Sequence, residues 1–184
     1  MNDTLLPEQQ RAMDYLAKKG TNAPAEKLRQ QLADAFAAVE RTFDDVPDEK
    51  RESAPAAGKW SPHEILDHLV LSHGPAIEQF ASLLEGVSPG GVAIPADLHR
   101  DERPEWSESR TQLGEIHRQF LRLMESASDA VPLEAKAVIE IVVKVDSQPK
   151  HWFEHLDWKA FIQGVRVHTV EHQMQLVRTI EAMT

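Results

Sequence analysis

Apolar residues recur at steps of three and four through Leu28, Leu32, Phe36, Val39, Phe43 and Val46. That spacing draws one stripe along a helix and predicts helix from about Pro24 to about Val46. Ahead of it, Pro7 to Lys19 reads as a short extra helix stopped at Gly20, and the polar stretch from Pro47 to Gly58 reads as a loop. The next helix has the sharpest start in the chain. Ser61 can cap it, Pro62 suits the first helical position, and Glu64 completes a Ser-x-x-Glu capping box. Ile65, His68 and Leu69 then share one inward face. Gly74-Pro75 is expected to kink or interrupt this helix, because proline lacks a backbone donor and crowds the preceding turn. Helix should resume to Leu83 or Leu84, before a Ser-Pro-Gly-Gly turn at 88–91.

A long loop is expected from Gly90 to Pro104, followed by a third amphipathic helix whose stripe is Leu113, Ile116, Phe120 and Leu123. The stretch Val138 to Val145 has two readings. Its β-branched content favours a strand, while Glu140 and Lys144 at helical spacing also permit a turn or two of helix. The last helix begins at Asp157, with Leu156 and Phe161 placed for a hydrophobic staple across the cap. Phe161, Val165, His168, His172 and Leu176 descend one side of it, so the two histidines interrupt an apolar stripe and should face the interior. Four long amphipathic helices make an all-α four-helix bundle the expected fold, one domain over residues 1–184 with its core from about residue 24.

His168 and His172 are four residues apart, so on a helix they lie one above the other and can grip one ion from one side. His68, on a different helix, can close the site from across the bundle. Three neutral imidazoles with a position left open describe a reactive metal centre rather than a structural one. The competing reading is three core histidines satisfied by hydrogen bonds. Three of them on two interior faces are harder to satisfy without a cation.

Other candidate groups carry less. The run His168-Thr-Val-Glu-His172 also spells the pattern of inverted zinc peptidases, in which the glutamate is the general base. That pattern needs a further acidic ligand well downstream, and only Glu181 remains there. His151-Trp-Phe-Glu-His155 repeats the spelling beside the Asp157 cap and reads as a connection with a surface or hydrogen-bonding role. Glu64, one turn before His68, is a weak candidate for a general base, but its capping role competes with that. His63, His73, His99 and His117 read as solvated or packing residues, with His117 alone beside an apolar stripe, where it is a candidate to border the pocket. Trp60, Trp152 and Trp158 read as anchors for helix ends.

Composition narrows the function classes. The chain of 184 residues is 41% apolar, ordinary for one folded domain. Its formal charge of -10 argues against nucleic acid and anionic membrane as partners. There is no cysteine, so there is no disulfide and no thiolate ligand, and any thiol must arrive with a substrate. No apolar block of the signal-peptide kind interrupts the first twenty residues, and a cytoplasmic protein is the expectation.

The segments Gly58-Lys-Trp-Ser-Pro-His-Glu-Ile-Leu-Asp-His-Leu69, His151-Trp-Phe-Glu-His-Leu-Asp-Trp-Lys-Ala-Phe161 and His168-x-x-x-His172 with Gln175-Leu176 follow one another in a recognisable order. Together they resemble the DinB/YfiT-like four-helix-bundle metalloproteins. The resemblance implies a divalent metal, usually zinc or nickel, held by His68, His168 and His172. It also implies a small-molecule substrate, since the relatives move low-molecular-weight thiols or hydrolyse and isomerise small molecules, and it makes a homodimer an expectation. The leading expectation is then an S-transferase, in which a cation draws the proton from a small thiol that attacks an electrophile. A metal-dependent hydrolase is the alternative, and a non-catalytic metal- or ligand-binding stress protein is a third reading.

Overall fold

The computed structural model describes residues 7–93, 102–145 and 148–183. Helix α1 spans Pro7–Leu16 and runs into a π-helical turn over Ala17–Thr21. Four longer helices form the bundle: α2 (Ala25–Asp44), α3 (Pro62–Leu84), α4 (Trp106–Ser126) and α5 (Trp158–Ala182). A small sheet joins α3, α4 and α5, built from β1 (Val92–Ala93), β2 (Ala137–Val145) and β3 (Gln148–Leu156) in the order β1-β2-β3. β1 runs parallel to β2, and β2 pairs antiparallel with β3 from Ala137 opposite Leu156 to Val145 opposite Gln148.

Local chemistry sets the helix starts. At α3 the Ser61 hydroxyl accepts from the Glu64 N–H at 3.2 Å, and the Ser61 N–H donates to Glu64 Oε2 at 2.7 Å, which closes the capping box. At α5, Asp157 Oδ1 accepts from the N–H groups of Lys159 and Ala160 at 3.0 and 2.9 Å. Leu156 and Phe161, flanking that cap, are both buried in one core cluster. The π-helical turn docks against the start of α5 so closely that a Cβ on Gly20 would stand 2.7 Å from the Ala160 Cα. Only glycine fits there.

The apolar core divides into two clusters. One gathers Leu28, Leu32, Phe36, Phe80, Phe120, Phe161 and Val165; the other gathers Val39, Phe43, Ile65, Leu66, Leu69, Leu113 and Leu176. Each fully buried side chain of this size stabilises the fold by about 1.5–3 kcal/mol. α2 and α5 pass from the first cluster to the second along the chain, whereas α3 and α4 pass from the second to the first. Two consecutive helices, α3 and α4, therefore run in the same direction, which explains why a long connection separates them. Between the clusters every bundle helix turns polar: Glu40 on α2, His68 and His73 on α3, His117 on α4, His168 and His172 on α5. This polar layer is where the chemistry sits.

The structure departs from the sequence reading in three places. Pro75 does not interrupt α3, which is continuous from Pro62 to Leu84. The proline is exposed, so the Leu71 carbonyl it leaves without an N–H partner lies on the water side, where its loss is tolerated. The ambiguous stretch at 138–145 is a strand, and its partner is the segment 151–155, expected as a connection. There, alternation puts Trp152, Glu154 and Leu156 on the more buried face while Phe153 stays 60% exposed. The expected loop 90–104 contributes β1, and its residues 94–101, His99 among them, lie outside the described residues. Among the described residues no helix is long and apolar enough to cross a membrane.

Candidate metal centre

α3 and α5 face each other at the polar layer. His68 Nε2 lies 3.1 Å from His168 Nε2, and His172 Nε2 lies 3.1 Å from the same atom. All three offer a ring nitrogen within 4.8 Å of the others, and among the described residues this is the one such group of potential metal ligands. His68 is 5% exposed, and the other two are partly buried.

Hydrogen bonding alone does not account for this cluster. An imidazole nitrogen has one in-plane site, either an N–H or a lone pair. The Nε2 of His168 therefore makes one in-line hydrogen bond at most, and its other neighbour is left with a bent, shared contact. A cation removes the conflict, because all three nitrogens can then present lone pairs. The spacing also suits one ion: two nitrogens each about 2.0–2.1 Å from a metal stand roughly 2.9–3.4 Å apart at angles from square to tetrahedral.

The surroundings prepare the rings for that role. The His172 imidazole is pushed down to about 4, by burial first and by the neighbouring His68 second, against a hydrogen bond to Gln175 that raises it. Burial, followed by the charges of His172, His73 and His68, holds His168 well below the ordinary histidine value. Both are neutral near neutral pH, which is the state a metal ligand needs. His172 Nδ1 lies 2.9 Å from Gln175 Oε1, so its N–H is spent on the glutamine and its Nε2 is left bare. His168 Nδ1 lies 3.1 Å from Nε2 of His73, a residue 0% exposed. The indole of Trp60 covers the group from outside, stacked on His172 and tilted over His68 at 4.9 Å between centroids.

One polar system behind the cluster was legible only in His117, read as a candidate pocket border, and not in His73 or Glu40. His117 is 2% exposed and its Nδ1 lies 2.5 Å from Glu40 Oε1, while its ring stacks on Phe36 at 3.8 Å. His73 and His117 are thus buried, not solvated, and so is His63, which pairs with Glu52. Trp60 belongs to the site rather than to a helix end alone. Helical spacing gave no signal for His73, since five residues after His68 is roughly 140° round α3; what brings it to the centre is its contact with His168 on α5.

The remaining candidates fall away from the centre. Glu64 is occupied by its capping box and by Arg103, 3.2 Å from its Oε1. Burial alone would raise its pKa, but the Ser61 hydrogen bonds and Arg103 hold it below the usual carboxylate range, so it is poorly suited as a base. No carboxylate joins the three histidines, which leaves the peptidase pattern without its acidic ligand among the described residues. His151 instead pairs with Glu140 at 2.9 Å across β2 and β3, a hydrogen-bonding role as expected for it.

Fold and site together define a four-helix bundle with a three-histidine group between helices α3 and α5. The chain belongs to the DinB superfamily, whose family model matches residues 31–157. That span includes His68 and ends before His168 and His172. Among solved structures, YfiT from Bacillus subtilis matches with a TM-score of 0.56 at 17% identity, over 97% of this chain and 91% of that one. YfiT is described as "a probable metal-dependent hydrolase with an unusual four-helix bundle topology". Comparison with curated proteins finds no match.

Proposed function

We propose that this protein is a metal-dependent enzyme, that His68, His168 and His172 hold its divalent ion, and that it hydrolyses a small molecule. The observation that carries the reading is His168 Nε2, set at 3.1 Å from two other histidine Nε2 atoms, which its single in-plane site cannot both meet with in-line hydrogen bonds. The description of YfiT and membership of the DinB superfamily support the same chemistry. A divalent ion bound by three neutral ligands would supply Lewis acidity and make a water or thiol in an open position easier to deprotonate. The protein's own residues do the rest. His172 and His168 keep their Nε2 lone pairs free through their Nδ1 contacts to Gln175 and His73. Trp60 forms an apolar wall at the mouth, which limits water and offers a face to a flat or apolar substrate group.

Transfer of a low-molecular-weight thiol uses the same centre, and no residue at the site separates a thiol from water as the nucleophile. Hydrolysis is preferred on the YfiT match. The test is metal analysis of protein purified without affinity-tag metals, followed by assay on activated small esters and amides. The reading expects one ion per chain and turnover that is lost with a chelator, restored by metal, and absent in His168→Ala. Metal-free protein that refuses zinc, nickel and cobalt would refute it.

A further inference from the structure

Two buried nitrogens in the polar layer have no hydrogen-bond partner: Nδ1 of His73 and Nε2 of His117. Buried polar groups are satisfied in the great majority of cases, so two orphans in one layer need an explanation. The rings that carry them are neighbours, 6.1 Å apart between centroids. The hydrogen-bonded pair His73 and His168 is separated by 5.2 Å on the same measure. Around the orphans the walls are aromatic, with Phe36 stacked on His117 and Phe120 edge-on to His73.

Tautomers can be assigned from each end. At the metal end, His168 must keep Nε2 bare to bind an ion, so its proton is on Nδ1 and is donated to His73 Nε2. A neutral His73 that accepts at Nε2 carries its own proton on Nδ1. At the other end, Glu40 is an acceptor only, its carboxyl held below the usual range by the His117 hydrogen bond against the cost of burial. His117 is kept neutral by burial and donates from Nδ1, which leaves its Nε2 a bare acceptor. The two orphans are therefore one donor and one acceptor, assigned independently from opposite ends of the layer.

We propose that His73, His117 and Glu40 complete a hydrogen-bonded chain behind His168, joined between His73 Nδ1–H and His117 Nε2 through one bridging water, and that this chain positions His168 for the ion. All four helices contribute to it or to the centre: α5 and α3 at the ion, α3 again through His73, α4 through His117 and α2 through Glu40. His73 is a positioning residue. It locks the His168 tautomer, and the carboxylate at the far end of the chain makes that ligand a better electron donor. The inference rests on the metal centre proposed above.

The test uses zinc-loaded protein labelled with ¹⁵N-histidine, whose long-range proton–nitrogen correlations distinguish the two neutral tautomers. His73 and His117 should both carry their proton on Nδ1. Zinc affinity, measured by competition with a chromogenic chelator, supplies the second readout. His73→Leu should bind zinc about 10–100-fold more weakly, as expected for loss of the group that orients a ligand. His73→Gln, whose Oε1 can accept the His168 proton, should recover most of that loss. His117→Phe keeps a ring on Phe36, strands the His73 proton, and should weaken zinc binding as well, which decides the matter if the leucine variant fails to fold. Zinc bound with His73 or His117 protonated on Nε2, or equal affinities for the leucine and glutamine variants, would overturn this inference alone. Wild-type protein that takes up no zinc would overturn it together with the metal centre.

Discussion

The indole of Trp60 lies parallel to the imidazole of His172, with 5.9 Å between ring centroids and 6° between planes. An aromatic reporter is thereby built onto a proposed ligand. Nickel(II) or cobalt(II) held by His172 should quench Trp60 fluorescence at stoichiometric concentration. In Trp60→Phe most of the quenching should vanish although three other tryptophans remain. Undiminished quenching in the variant would place the ion elsewhere.

An ion that ties α3 to α5 binds the folded chain and not the unfolded one, so it adds to stability. At roughly 1,000-fold excess over Kd the gain is about 4 kcal/mol. For a domain of this size that raises Tm by roughly 8–16 °C. His168→Ala should show no metal-dependent shift, and a chelator should leave its melting curve unchanged. Scanning calorimetry with and without zinc measures both.

Burial, and His68 after it, push the His172 imidazole down to about 4 from an ordinary 6.5 in the ion-free protein. His168 and His73 are displaced in the same direction. With the folded-state value lowered, the unfolded chain takes up protons first. Stability is then complete above about 6.5 and is lost as pH falls towards 4. Urea midpoints of the apoprotein should drop steeply across that window, and His172→Leu should flatten the drop. A profile indifferent to that substitution would show that His172 is not displaced.

The start of α5 fixes where His168 and His172 fall. Asp157 is 4% exposed, accepts two α5 N–H groups, and accepts from the Thr21 hydroxyl at 2.7 Å. Asp157→Ala should cost about 1–2 kcal/mol in urea denaturation from the cap alone. Asp157→Asn should cost less, because the amide oxygen can still cap.

Much of this architecture was readable from residue spacing. The stripes of α2, α4 and α5 and the Ser61 and Asp157 caps are local features, set within a turn or two of chain, and they placed the helices and the three histidines correctly. What escaped was non-local. β3 needs β2 to be a strand at all, since its own residues alternate weakly and leave Phe153 in water. His73 and His117 looked ordinary because their partners, His168 and Glu40, are 95 and 77 residues away. Pro75 misled because the rule against proline inside a helix ignores which side of the helix faces water.

Cobalt(II) titration of the apoprotein, followed by visible absorption, tests the metal centre most directly. One equivalent per chain should bind and give a d–d spectrum of nitrogen ligation, absent in His168→Ala. Because three histidines leave a position open, azide, a small thiol or a change of pH should each alter that spectrum, and a sulfur-to-cobalt band on adding thiol would favour thiol transfer over hydrolysis. Failure to bind cobalt, or a spectrum indifferent to all three additions, would contradict the account.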